Sequence, residues 1–300
     1  MKLFFDNIDF YSTSGPNHFG SKLAKSLVDS GVKICSNETD AEANLCFIQT
    51  NKMAVKNPMV LRLDGIYFNT RQDFVSQNEN IKRTYEMASG VVFQSQFNKS
   101  LTTKYFGECE NSIVIRNGAD VSMIKNTKPI ETKALDRFDD VWCCASSWRP
   151  HKRLDENVRY FIEHSSERDC LIVAGNTDEK FYSDHDRIFY VGNLPIKHLI
   201  ALYKRSKYFL HLAWLDHCPN VVVDARAAGC QIVCSSAGGT VEVAGLDAIV
   251  VSEQEWNMKP IDLYDPPKLQ FDKIVKNVHD HDYNINNVAD EYKKFIGSVI

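Results

Sequence analysis

Two carboxylates frame a short apolar run in the stretch "AWLDHCPNVVVDARAAG", residues 213–229, where Asp216 and Asp224 stand eight positions apart. Pro219 suits the first turn of a helix and Gly229 suits its end. A helix opening there presents unbonded amides at Asn220 and Val221 together with the positive end of its dipole, a place that favours an anion. Asp224 lies one turn in, and Asp216 lies in the loop before. A second chemical cluster is "SSWRPHKRLDENV", residues 146–158, with the cations Arg149, Lys152 and Arg153. Each cluster also has a plain reading, as a dipole-favoured helix-start acid and as a solvated basic run. What distinguishes them is position. "KYFLHLA" before the acid pair and "QIVCSS" after it read as buried strands, so the carboxylates sit on a strand-to-helix crossover, where open α/β sheets hold ligands.

The elements needed to position such a site recur along the chain. Short apolar strands alternate with amphipathic segments, which predicts parallel sheets covered by helices. The first series is "KLFFD", "ANLCFIQ", "MVLRLD", "GVVFQS" and "SIVIRN", with a helix from about 19 to 28 after the first strand. The second is "DVWCCASS", "CLIVAG", "IFYVGN", "KYFLHLA", "QIVCSS" and "AIVVSE". Leu154, Val158, Phe161 and Ile162 share one helical face, as do Ile196, Leu199, Ile200 and Tyr203. The expected division is a Rossmann-like domain over 1–120, a polar linker over 121–138, a second Rossmann-like domain over 139–280, and an amphipathic helix over 281–300 that returns to the first domain.

Composition narrows the function classes. The 300 residues carry a net charge of −4, with 44% hydrophobic and 25% charged side chains, and no basic stripe that suits nucleic acid. No apolar run reaches the length of a transmembrane helix, although contact with a membrane surface stays open. The nine cysteines are scattered without a C-x-x-C pair, which reads as buried reduced thiols and a cytoplasmic protein. "GPNHFG" is not a dinucleotide fingerprint, and neither a Walker A sequence nor a G-x-S-x-G elbow occurs. The "DHD" triplets at 184–186 and 280–282 read as surface loops. His211, Asp216 and His217 do not have a recognised metal-ligand spacing, so no metal site is expected.

From about 140 to 245 the sequence resembles the nucleotide-binding half of a GT-B glycosyltransferase of the retaining family four type. That family's "E-G-F-x-x-x-x-x-E-A-x-A-x-G" is matched by D-H-C-P-N-V-V-V-D-A-R-A-A-G, and its "G-G-x-x-E" by "GGTVE" within "SSAGGTVEVAG", 235–245. "VIRNGADV", 114–121, is similar to the end of the family's first domain. The resemblance implies a GT-B fold, two Rossmann-like domains facing across a cleft, and transfer of a hexose from a UDP- or GDP-sugar, with UDP-hexose (such as UDP-glucose) first, to a hydroxyl of a glycan or glycoconjugate. It implies no required cofactor and no dependence on metal.

The resemblance also assigns roles. Asp224 accepts the two ribose hydroxyls and Asp216 the hydroxyls of the donor sugar, although both replace a glutamate one methylene longer. Asn220 and Val221 offer amides to the diphosphate. Lys152 takes the family's lysine position; the arginine position falls near Ser147 and Trp148, and Arg149 is the nearest cation, with Arg153 next. Gly238 and Gly239 let backbone approach the phosphates, and Gly192 and Asn193 reach the nucleobase. On the acceptor and sugar side stand Gly15, Asn17 and His18 in "SGPNHFG" and Asp64 in "LRLDGIYF". An epimerase or phosphorylase of the same fold, and a catalytically silent nucleotide-sugar-binding protein, are the competing readings.

Overall fold

The computed structural model describes residues 1–12, 14–178 and 182–300. The first sheet consists of β1 (Lys2–Asp6), β2 (Lys33–Cys35), β3 (Ala43–Phe47), β4 (Met59–Leu63), β5 (Gly90–Phe93) and β6 (Ser112–Val114), ordered β2-β1-β3-β4-β5-β6. Every neighbouring pair in it is parallel. β3, β4 and β5 are buried along their whole length, which is why their sequences run apolar without alternation. Helices α1 (Gly15–Asp29), α2 (Phe74–Met87) and α3 (Gln96–Phe106) connect these strands, and α4 (Val121–Asn126) follows β6.

The second sheet contains β7 (Val141–Ala145), β8 (Cys170–Ala174), β9 (Ile188–Gly192), β10 (Tyr208–His211), β11 (Gln231–Ser235), β12 (Ile249–Val251) and β13 (Ile274–Lys276), ordered β13-β12-β11-β10-β7-β8-β9. Only β13 runs antiparallel, against β12. Its helices are α5 (Leu154–His164), α6 (Ile196–Arg205), α7 (Asn220–Ala227) and α8 (Val241–Ala244). The last helix, α9 (Ile285–Val299), packs Ile285, Val288, Ala289, Tyr292 and Ile296 into the first domain's core beside Phe19, Leu23 and Leu27 of α1. The chain thus forms two α/β domains with parallel sheets, and its C-terminal helix rejoins the first.

Four segments differ from their sequence expectation. The polar stretch 121–138 is no bare linker: α4 lies within it, and Ile124 and Leu135 join the core of the second domain. The three-residue strands β2 and β13 are too short to show a period. Residues 256–263 lie against the first domain although the second sheet surrounds them in sequence. Ile261 pairs with Asn69, and Trp256 packs 4.7 Å from Phe68, centroid to centroid. The exposed Arg71 meets Asp262 at 2.7 Å, and Lys104 donates to the Asn257 carbonyl at 2.7 Å.

All nine cysteines are free, and all but the half-buried Cys109 are buried. Among the described residues no helix is long and apolar enough to cross a membrane.

Candidate functional site

The carboxyl ends of both sheets face the seam between the domains, and the acid pair lies there. Asp216 occupies the loop from β10 to α7. Its Oδ2 receives Lys152 Nζ at 2.5 Å and His211 Nε2 at 2.9 Å, while Oδ1 accepts the His217 amide at 3.0 Å. Burial opposes the charge on Asp216, but Lys152 and the bond from His211 outweigh it and hold the carboxyl well below the usual carboxylate range. Burial pushes His211 down, so its ring is neutral near pH 7 and donates through Nε2. Lys152 closes a short turn, Pro150–Lys152, and the His151 carbonyl in that turn accepts the Trp214 amide at 2.7 Å. One backbone bond therefore sets the lysine's loop beside the aspartate's loop.

α7 begins at Asn220, with Pro219 as its cap and no side chain bonding its first amides. The N–H groups of Asn220 and Val221 have no acceptor among the described residues. Two rungs bind this helix to α1 of the other domain. Asn220 Nδ2 donates to the Gly15 carbonyl at 3.0 Å, and Lys22 Nζ meets Asp224 Oδ1 at 3.0 Å. Gly15 precedes Lys22 as Asn220 precedes Asp224, so the two helices direct their N-terminal ends the same way. His18 lies between the rungs; burial and then Lys22 lower its pKa against the pull of Asp224, and its Nε2 is buried without a hydrogen-bond partner among the described residues.

Several expected site residues are engaged otherwise. Asp224 is 4% exposed and held by Lys22, so its carboxylate is not open to solvent. Gly239 does not offer its amide to the cleft, because that N–H donates to the Asp216 carbonyl at 2.7 Å. A Cβ there would stand 2.0 Å from the His217 carbonyl oxygen, so the glycine serves a close approach of two protein loops. Gly238 has φ +95° and abuts the same loop. Arg149 is exposed and makes no ion pair among the described residues, whereas Arg153 is buried, forked onto Glu253 at 2.8 and 2.7 Å. Asn17 accepts the Asp9 amide through Oδ1 at 3.0 Å. Asp64 pairs with Arg62, whose buried guanidinium also donates to Asn117 Oδ1 at 2.8 Å and lies 4.3 Å over the Phe19 ring. Gly192 and Asn193 lie at the end of β9 beside Asn176; the Asn176 and Asn193 side chains each accept the other's amide at 3.1 Å.

Sequence reasoning missed Lys22, and it named Glu242 only as a letter in a motif. Glu242 of α8 crosses the seam and accepts the first two amides of α3, from Gln96 and Phe97, both at 2.9 Å. It also receives Arg116 at 2.7 Å. Nearby, the Asn117 amide group donates to the Cys218 carbonyl at 2.8 Å. The His217 ring, in the place of the family's glycine, fits onto Gly65: a Cβ on Gly65 would lie 2.5 Å from the imidazole. Phe97 stands 5.3 Å from that ring.

Two parallel-sheet domains facing one another across a seam have the architecture of the GT-B fold. Residues 139–263 match the family model "Glycosyl transferases group 1". No curated protein sequence matches the chain. Among solved structures, Anabaena HepE in complex with UDP is similar at 13% identity and TM-score 0.70, over 99% of this chain and 100% of that one. Sucrose-phosphate synthase from Thermosynechococcus elongatus is similar at 10% identity and TM-score 0.66, over 99% and 90%. A glycosyltransferase from Rickettsia africae is similar at 12% identity and TM-score 0.62, over 99% and 98%. At such identities these likenesses speak for the fold.

Proposed function

We propose that the protein transfers a hexose, with retention of the anomeric configuration, from a nucleoside-diphosphate sugar to a hydroxyl of a glycan or glycoconjugate. The observation that carries this reading is the Lys152–Asp216 pair beside the open amides of α7, within the segment that matches the family. UDP-hexose is the favoured donor. HepE was crystallised with UDP and with UDP-glucose, which supports that choice of base and sugar.

In this reading the diphosphate sits at the tip of α7, on the Asn220 and Val221 amides. As the glycosidic bond to the β-phosphate breaks, negative charge grows on the leaving group and positive charge on the sugar ring. Catalysis is then mainly electrostatic, from fixed groups aimed at the developing charge. Lys152 exchanges Asp216 for phosphate oxygen, which frees Asp216 Oδ2 for a sugar hydroxyl. His211 keeps the carboxylate in position while this happens. Asp224 Oδ2 accepts a ribose hydroxyl, and Gly192 and Asn193 line the base. The acceptor enters from the first domain, past Gly15 and His18, and the leaving phosphate takes its proton. The group works without metal and in the cytoplasm.

The test is incubation with UDP-glucose, UDP-galactose and GDP-mannose, following nucleotide release and the anomeric configuration of the product by NMR. Nucleotide release with an α-linked product supports the reading; an altered sugar still on its nucleotide supports the epimerase. Both acids are ion-paired across from a cation, which favours one further reading, a protein that binds the donor without turning it over. Tight UDP-sugar binding with no release under any acceptor would establish it.

A further inference from the structure

Lys22 has more to give than its one visible partner takes. It is 7% exposed, deep in the seam, and its ammonium carries three N–H donors. Asp224 Oδ1 is its one hydrogen-bond acceptor among the described residues. A buried ammonium left with spare donors is costly unless further acceptors arrive. The spare donors point the right way, because a helical side chain leans toward its helix N-terminus. For α1 that direction leads to His18 and Gly15, and so to the gap opposite Asn220 at the tip of α7. Two polar atoms at that gap, His18 Nε2 and Asn220 Oδ1, are buried without hydrogen-bond partners among the described residues.

The other cations do not fill this role. A diphosphate needs its charge balanced, and the loop after β7 places only Lys152 beside the α7 site: Arg149 is exposed and Arg153 is consumed by Glu253. We propose that Lys22, contributed by the first domain, is the second diphosphate-binding cation of the donor site. This inference rests on the donor reading above. Lys22 has Asp224 as its one partner among the described residues; with donor bound, its two remaining N–H groups go to phosphate oxygens while Asp224 turns its second oxygen to the ribose. One stripe of α1, Gly15, His18 and Lys22 at spacings of three and four, then faces the ligand. Because the cation and the ribose acceptor belong to different domains, the diphosphate draws the two domains together.

The experiment compares uridine with UDP, so that the phosphates are the only difference between the probes. Dissociation constants are measured by calorimetry for the wild type, K22Q and K22R, with melting temperatures as a check on folding. Charge-assisted bonds to phosphate make K22Q lose about 10-fold or more in UDP affinity, with uridine changed by less than about 3-fold. K22R, which keeps the charge, retains most of the UDP preference. A variant that has lost its melting transition has lost its structure, and K22M, with its apolar stem in place, then substitutes for K22Q. Equal losses of uridine and UDP give Lys22 a purely structural role and overturn the proposal, as does an unchanged UDP affinity; either result leaves the donor reading standing. A wild type that binds neither UDP nor uridine overturns both.

Discussion

Asp216 keeps its negative charge because Lys152 and His211 share one of its oxygens, and this makes the residue testable by itself. Asp216→Asn preserves the shape but cannot anchor the lysine as a charge partner. Turnover, read as nucleotide release, is expected to fall about 100-fold or more, the scale of losing one aimed polar group in a site; full turnover would remove Asp216 from the mechanism. A second prediction concerns acid. Burial holds His217 down to about 4 and His281 to about 4, and it holds His151 down to about 3. An unfolded histidine titrates near 6.5, so below that pH the unfolded chain binds protons that the folded chain refuses. Stability therefore falls as pH drops from about 6.5 towards 4. The melting temperature should decrease between pH 7 and pH 5, and His281→Asn, away from the acid pair, should flatten that slope. A variant curve parallel to the wild type would show that His281 is not among the groups responsible.

At the scale of elements, the seam is organised by helix ends. Glu242 of α8 takes the two leading amides of α3 and the Arg116 guanidinium, tying one domain's helix cap to the other domain's backbone. Removing one partner of so buried a set leaves the others uncompensated. Glu242→Ala is expected to cost about 3 kcal/mol in urea unfolding, in line with breaking a buried pair. Glu242→Gln should recover part of that, because its amide oxygen still accepts from α3. The glycines of the loop after β11 act likewise at close range. Gly239→Ala forces a methyl against the His217 carbonyl and moves the loop that carries Asp216. Both the melting temperature and turnover should fall together; a change in neither would mean that the loop yields without effect on the site.

At the scale of the molecule, the chain returns twice from the second domain to the first. Residues 256–263, between β12 and β13 of the second sheet, lie on the first domain, and α9, which follows β13, completes its core. Deleting 285–300 strips Ile285, Val288, Tyr292 and Ile296 from α1 and exposes a large apolar face. The truncated chain is expected to be insoluble or to bind an apolar dye strongly, while a soluble, cooperatively melting product would show that α9 is dispensable. Since donor groups in the proposed site come from both domains, anything that loosens the seam should weaken donor binding more than it weakens the second domain's own stability.

The alternation of buried strands with amphipathic helices was enough to give two parallel-sheet domains, because a strand buried on both faces must be written in apolar residues whatever surrounds it. The crossover carrying Asp216, Pro219 and Asp224 was legible for the same local reason: a strand, a loop and a helix start follow one another in the chain. Short edge strands and α4 escaped notice, having too few residues for a period and taking their order from neighbours. Partners across the seam were beyond reach in principle. Lys22 meets Asp224 across 202 positions and Glu242 meets Gln96 across 146, and nothing in local spacing encodes a distance of that kind. Local order thus determined which groups the chain owns and roughly where each element begins. Packing of two loops within the second domain decided that Gly239 spends its amide on protein, and only the packing of one domain on the other decided that Asp224 is shielded and that a lysine of the first domain stands at the second domain's helix.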